Sequence, residues 1–350
     1  MQTKTKVRRK NRFGKEHLVE LSTDLSRFKD RGFCYVPSFL TPTEVELLRQ
    51  DFEAANTLEN GNYHIRRVSN EAFDQISIKL QHCAELLSKQ TGLVVDQLSR
   101  GVYFPNWKEG KTLVNLRHDQ QKFPWHQDHE SYFTLQNFSN YLNFYIPIIK
   151  PVEEQSNLSI IPLDKLAAYA PEVSQKIIHR GATRIVNSRQ GDVILDDDRG
   201  GIIASLDLPI TNLEETPHLR TGDLLLLRGD VFHRTQDAST RRVAASFRMF
   251  NGDTTVNRNE LARGGVVKTL MMLSNWKAYE IRFRYFDQMQ TPTATAKAMR
   301  RYLETSDLPP NFRRINFLLR LLRERLLGGN LLEGLMDLRF LSLILRGVLS

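Results

Sequence analysis

Three residues constrain this chain more than any others. In PWHQDHESYF, His126 and Asp128 stand two apart, and far downstream GDLLLLRGDVFHRT carries His233. Two imidazoles and one carboxylate are the protein ligands of the open facial site that holds non-haem Fe(II) for oxygen chemistry, with positions left for a co-substrate and O2. Residues i and i+2 of an extended segment share a face. His126 and Asp128 therefore point together, while Gln127 and His129 point away. The apolar run before His233 follows the turn pair Gly222-Asp223 and reads as a buried strand ending near Gly229. A second strand of this kind can bring a third donor to the pair, so the chain needs a fold of paired strands. Spacing alone also fits a chance His-x-Asp and a core histidine. The segments around the three residues decide between the two.

From Asp24 to Arg248 the order of those segments resembles the phytanoyl-CoA dioxygenase family of Fe(II)/2-oxoglutarate-dependent oxygenases. DLSRFKDRGFCYVPSFLTPTEVELLRQDFEAA is similar to the family's opening: a short helix, a strand, then a helix capped at Thr41. WHQDH resembles its first ligand motif, and YLNFYIPIIKPVEEQSNLSIIPLDKL its central strand pair. LRTGDLLLLRGDVFHRTQDASTRRVAASFRMF resembles the strand with the distal histidine and the next strand with an arginine. The chain departs from the pattern at IIPLD, where a Gly-Ser-His often follows the proline, and between Asp164 and Leu219.

The resemblance implies a mainly β fold with helices: a double-stranded β-helix (jelly-roll, cupin-like) core with N-terminal helices and a helical C-terminal extension. We expect a basic arm over 1–23, an oxygenase jelly-roll domain over 24–250, and an extension over 251–350 that packs on the core, dimerises or touches membrane. The resemblance makes His126, Asp128 and His233 the iron ligands and catalytic residues, with 2-oxoglutarate and O2 as co-substrates and succinate and CO2 as products. It also asks for an arginine past the distal histidine to grip the far carboxylate of 2-oxoglutarate. Arg241, Arg242 and Arg248 compete for that role. The planar guanidinium suits it, since it pairs a carboxylate through two parallel hydrogen bonds and keeps its charge. Arg242 is favoured because Ser246 shares its face in an extended RRVAASFRMF; a one-residue shift would favour Arg241. Asn115 and Arg117 share a face in TLVNLRH and are further contacts to co-substrate or substrate. Trp125 would wall the pocket, and Asn143 and Tyr145 would add polar contacts. Halogenases that look similar carry a small residue at the position of Asp128, leaving room for chloride. The carboxylate here implies hydroxylation or desaturation instead.

Composition supports the enzyme reading. With 41% hydrophobic and 25% charged residues the chain can bury a large core. Its two cysteines cannot build a disulfide framework, and a reducing cytoplasm is the simplest home. The N-terminal MQTKTKVRRKNRFGK lacks the apolar stretch of a secretory signal, and no run of about twenty apolar residues could span a membrane. The formal charge of +9 suits acidic partners: a CoA thioester, an acidic carrier protein or anionic lipid, with nucleic acid ranking last. FDQISIKLQHCAELLSKQTG has helical spacing, with Ile76, Leu80, His82, Cys83 and Leu87 on one face. Residues 164–180 read as one helix stopped by Gly181, followed by short strands at TRIVNS, DVILDDD and IIASLDLPI. The run Asp196-Asp197-Asp198 reads as a solvated turn rather than a second cation site. After Asn251 the spacing is helical, through MMLSNWKAYEIRFRYFDQMQ to the leucine- and arginine-rich end. That last segment suits packing, dimer contact or a peripheral membrane surface.

Overall fold

The computed structural model describes residues 25–56, 65–106, 123–136, 138, 140–188 and 191–328. Asn115, Arg117, the arm before residue 25 and the leucine-rich end after residue 328 lie outside the described residues.

The chain opens with α1 (Phe28–Arg31), β1 (Phe33–Val36) and α2 (Pro42–Ala54). Thr41 caps α2 in a full capping box with Glu44, which satisfies backbone donors at the helix start. There follow β2 (Arg66–Arg67), α3 (Asn70–Thr91), β3 (Gln97–Pro105), α4 (Glu130–Leu135) and β4 (Tyr141–Ile149). Next come β5 (Leu158–Ile160), α5 (Leu163–Tyr169), α6 (Pro171–Ile177), β6 (Thr183–Ser188), β7 (Gly191–Asp196) and β8 (Ile202–Leu206). β9 (Leu224–Arg228), β10 (His233–Thr235) and β11 (Val243–Phe250) complete the core. The expected single helix over 164–180 is thus two. Pro171 has no N–H to continue the first and sits at the first position of the second, where none is needed.

Two antiparallel layers face each other as a jelly roll. The larger sheet runs β1-β9-β4-β11-β3-β2. The smaller is made of β5-β10 and β6-β7-β8. His126 joins these two pieces, bridging His233 on one side and Arg184 on the other. Period-two alternation sorts the side chains of the larger sheet. Phe144, Ile146, Ala245, Phe247 and Met249 pack outward against α2 and α3, where Leu48, Phe52, Ile76 and Leu80 meet them. Tyr145 and Ala244 face inward and meet Leu158, Ile160, Leu225 and Leu227 between the layers. A third cluster lies on the outer face of the smaller sheet, where Trp125, Ile185, Ile194 and Phe232 pack under α5 and α6.

Beyond residue 250 come β12 (Thr255–Asn257), α7 (Arg258–Ala262), α8 (Val266–Ser274), α9 (Trp276–Met289), β13 (Thr293–Thr295), α10 (Ala296–Thr305) and α11 (Arg314–Leu327). The helix expected over residues 271–290 breaks at Asn275, which ends α8 and opens α9. Phe283, Phe317 and Leu321 of this extension share one buried cluster with Phe138, Tyr141 and Phe250 of the core.

The acidic run corrects the expectation of a solvated turn: Asp196, Asp197 and Asp198 are all buried. Asp196 pairs with Arg180 at 2.9 Å and Asp197 with Arg184 at 2.9 Å. Asp198 meets Arg199 at 3.0 Å and Lys268 of α8 at 2.8 Å. The Lys268 ammonium is almost wholly buried; it also donates to the carbonyl of Glu260 and lies 5.5 Å from the centre of the Phe133 ring. Asp198→Ala would strand that charge. Breaking a buried pair from one side costs about 3 kcal/mol, so urea denaturation should show a loss of that order.

Candidate metal centre

The segment leading to the pair is held extended. Pro124 disfavours helix at Phe123, and the backbone of 125–127 hydrogen-bonds to both neighbours. His126 exchanges N–H···O bonds of 3.0 Å with His233, while Gln127 N–H donates to the Thr183 carbonyl at 2.9 Å. The Gln127 side chain is fully buried and points away from the donors, as alternation requires. It donates to the carbonyls of Ile177 (3.1 Å) and Asp230 (2.6 Å) and accepts from the Thr183 hydroxyl (2.6 Å). On the other strand, the Asp230 carboxylate locks the turn before His233, taking two hydrogen bonds from Arg228 and one from the His179 N–H. Gly229 belongs to that turn because a β-carbon there would lie 1.7 Å from the Phe138 ring.

The result is convergence. Ligand atoms of His126, Asp128 and His233 all lie within 4.8 Å of one another. The two imidazole rings are 4.4 Å apart between centroids, and His233 Nε2 is 3.7 Å from Asp128 Oδ1. Each ring has its Nδ1 at a backbone carbonyl: His126 at Pro124 (2.7 Å), His233 at Val231 (3.0 Å). A neutral imidazole that donates from Nδ1 presents a lone pair at Nε2, the form a metal needs. Burial holds His126 well below the usual histidine range, with the rings of His233 and His129 adding to the effect. The donor set of two nitrogens and one oxygen fits an octahedral cation with open positions.

His129 departs from the expected alternation. The extended run ends there, since His129 has helical backbone angles and precedes α4. Its ring lies 5.7 Å from that of His126, and its Nε2 meets Asp197 at 2.8 Å. Trp125 corrects a second expectation. It packs in the outer cluster with Ile161 and Phe232, and the Arg234 guanidinium lies 4.9 Å from its ring centre. One residue from His126 means the opposite face, so Trp125 does not wall this site.

Of the three arginines, Arg242 is buried and Arg241 is exposed. Arg242 precedes β11 on the inward face, in the alternation that places Ala244 between the layers. Its backbone N–H donates to Asn106 Oδ1 at 2.6 Å, and one Nη1 donates to the Tyr145 hydroxyl. Its Nε has no hydrogen-bond partner among the described residues. A buried, under-satisfied guanidinium is a place for a carboxylate. Ser246 donates to Asn143 Oδ1 at 2.8 Å on the same inner surface. Arg248 lies further along, 5.6 Å from the Phe104 ring centre. Lys150 was not singled out by sequence. Burial first, then repulsion from Arg242, lowers its ammonium to about 8.

A family model described as phytanoyl-CoA dioxygenase matches residues 28–245. The chain belongs to this family of Fe(II)/2-oxoglutarate-dependent oxygenases. Solved structures give remote likenesses. The non-heme alpha-ketoglutarate-dependent epimerase SnoN of nogalamycin biosynthesis is 14% identical, with a TM-score of 0.42 over 68% of this chain and 86% of that one. HygX from Streptomyces hygroscopicus, with nickel, 2-oxoglutarate and hygromycin B bound, is also 14% identical, with a TM-score of 0.41 over 65% and 86%. A Pseudomonas putida prolyl-4-hydroxylase is 10% identical, with a TM-score of 0.39 over 66% and 98%. No curated protein matches the sequence.

Proposed function

We propose that the chain is a dioxygenase that uses Fe(II) and 2-oxoglutarate to hydroxylate a C–H bond of a small molecule, a biosynthetic intermediate or a lipid, releasing succinate and CO2. One observation carries the reading: three ligand atoms of the right types converge within 4.8 Å, with both imidazoles oriented through Nδ1. His126, Asp128 and His233 would hold the iron. When bound, the metal and its co-substrate supply the oxidising power. The protein's own contribution is placement. The Pro124 and Val231 carbonyls fix the two rings. Asp128 supplies the negative charge and fills the space that a halide would need. Arg242 offers two N–H groups to the far carboxylate of 2-oxoglutarate from a site closed to water. The positive balance of the chain suits a substrate with acidic groups, including one held as a CoA or carrier thioester.

Anaerobic titration with Fe(II), then with 2-oxoglutarate, should give one of each bound per chain. Oxygen and substrate should then release succinate in step with oxidised product. Failure to bind either component stoichiometrically removes this reading.

The pH dependence should follow Lys150. Its ammonium is charged below about 8 and neutral above. A carboxylate bound beside Arg242 stabilises the charged form, so binding and protonation support each other. The affinity for 2-oxoglutarate should therefore fall severalfold as pH rises from 7 to 9.5. Lys150→Met should flatten that profile; an unchanged profile would separate Lys150 from the co-substrate.

A further inference from the structure

A cleft of about 1050 Å³ lies between the rim of the larger sheet and helices α9 and α10 of the extension. Six cationic side chains line it: Arg67, Arg100 and Arg248 from the sheet, and Lys277, Arg282 and Arg300 from the helices. Only two carboxylates, Asp74 and Glu304, join them among the described residues, and Glu304 is held by Arg300 at 2.9 Å. Apolar side chains fill the space between, including Phe73, Val102, Leu135, Ile281 and Met299. Cations this close repel one another. Burial and the neighbouring Arg67 pull the Arg100 guanidinium below its ordinary range, with Glu304 opposing. A low-dielectric cleft with an excess of one sign of charge focuses the field on an opposite charge.

One wall of the cleft is electrostatically linked to the candidate metal centre through Tyr141. Tyr141 and Ser131 line it, bonded to each other at 2.6 Å. Burial raises the Tyr141 phenol; Arg248 beside it opposes the rise, and the Asp128 carboxylate adds to it. The phenol thus lines the cleft and also feels the charge of the triad's carboxylate. The wall formed by α9 and α10 lies after residue 245, outside the segment that matches the family.

We propose that this cleft binds the distal part of the substrate, and that this part is an apolar chain carrying a phosphate monoester. The inference rests on the reading of the triad as the metal centre, and it makes the extension a determinant of specificity. Six cations against two carboxylates leave an excess of positive charge that matches a doubly charged group better than a single carboxylate. The apolar walls match a hydrocarbon stem, whose burial there removes apolar surface from water.

Binding of decyl phosphate, decanoate and decanol to the full chain, each below its micellar concentration, tests this without turnover. Decyl phosphate should bind at least about tenfold more tightly than decanol, with decanoate between them, and added salt should weaken the phosphate alone. Arg67 and Lys277 are exposed residues on opposite walls. Arg67→Glu and Lys277→Glu should each lower decyl phosphate affinity about tenfold at low salt with little change in thermal stability. Arg67→Lys should retain it. Equal affinity for decyl phosphate and decanol, or full affinity in both charge-reversal variants, overturns the proposal. His233→Ala separates the two readings. It should bind decyl phosphate normally, because the cleft lining does not include His233. Loss of iron binding there with phosphate binding intact supports both. Phosphate binding in a wild-type chain that takes no iron leaves the cleft standing and removes the oxygenase.

Discussion

Replacing His233 with alanine should abolish stoichiometric Fe(II) binding and lower succinate release by about a thousandfold or more. Even residues that only orient a metal ligand typically cost 10–100-fold in affinity or activity when mutated, and loss of a ligand exceeds that. The geometry makes His233 hard to replace. It is buried, and its strand exchanges backbone hydrogen bonds of 3.0 Å with His126 on the opposite piece of the sheet. No other described group of His, Cys, Asp or Glu in the chain offers three ligand atoms together. The fold itself should survive, because the backbone bonds to His126 do not involve the imidazole. The cavity left by a half-polar ring should lower stability by only about 1–2 kcal/mol. The decisive measurement is an anaerobic iron titration of the folded variant, checked by circular dichroism. A variant that still takes up one iron with wild-type affinity would show that the three side chains do not share an ion.

Much of this arrangement was readable from residue spacing, for a specific reason. Period two governs β4 and β11, so the inward set of Asn143, Tyr145, Ala244 and Ser246 follows from the letters alone, and Arg242 falls on it without any knowledge of the fold. The same rule, applied strictly, puts Trp125 on the far side from His126; only its place next to the first ligand suggests a pocket wall. His129 shows where the rule stops. The strand ends one residue earlier, and nothing in HQDHES marks that end. Pro171 did mark the break between α5 and α6, and a reading by apolar spacing ran through it. The acidic run departs from its expected exposure for another cause. Its partners Arg180, Arg184 and Lys268 come from the loop after α6, from β6 and from α8, and only the folded chain brings them to one turn. Lys150 and Asn106 near Arg242 belong to the same class: single polar residues whose meaning lies entirely in what they meet.

The second large effect should appear at Arg242. With alanine there, the concentration of 2-oxoglutarate needed for half-maximal turnover should rise about a hundredfold, while Fe(II) binding stays intact. Removing one partner of a buried, hydrogen-bonded charge pair costs about 2–5 kcal/mol, and about 2.8 kcal/mol, in the lower half of that range, is a hundredfold. The split between the two ligands is the telling part. Arg242 donates to the Tyr145 hydroxyl and to the Ser156 carbonyl, neither of which belongs to the triad, so its loss should leave the metal donors in place. Arg242→Lys should recover only part of the affinity, since an ammonium cannot offer two parallel N–H groups to one carboxylate. Arg241→Ala should change little, because that side chain is exposed outside the inward face. Equal 2-oxoglutarate affinity in wild type and Arg242→Ala, with a large loss in Arg248→Ala, would move the carboxylate to the other end of β11 and turn the co-substrate around in the barrel.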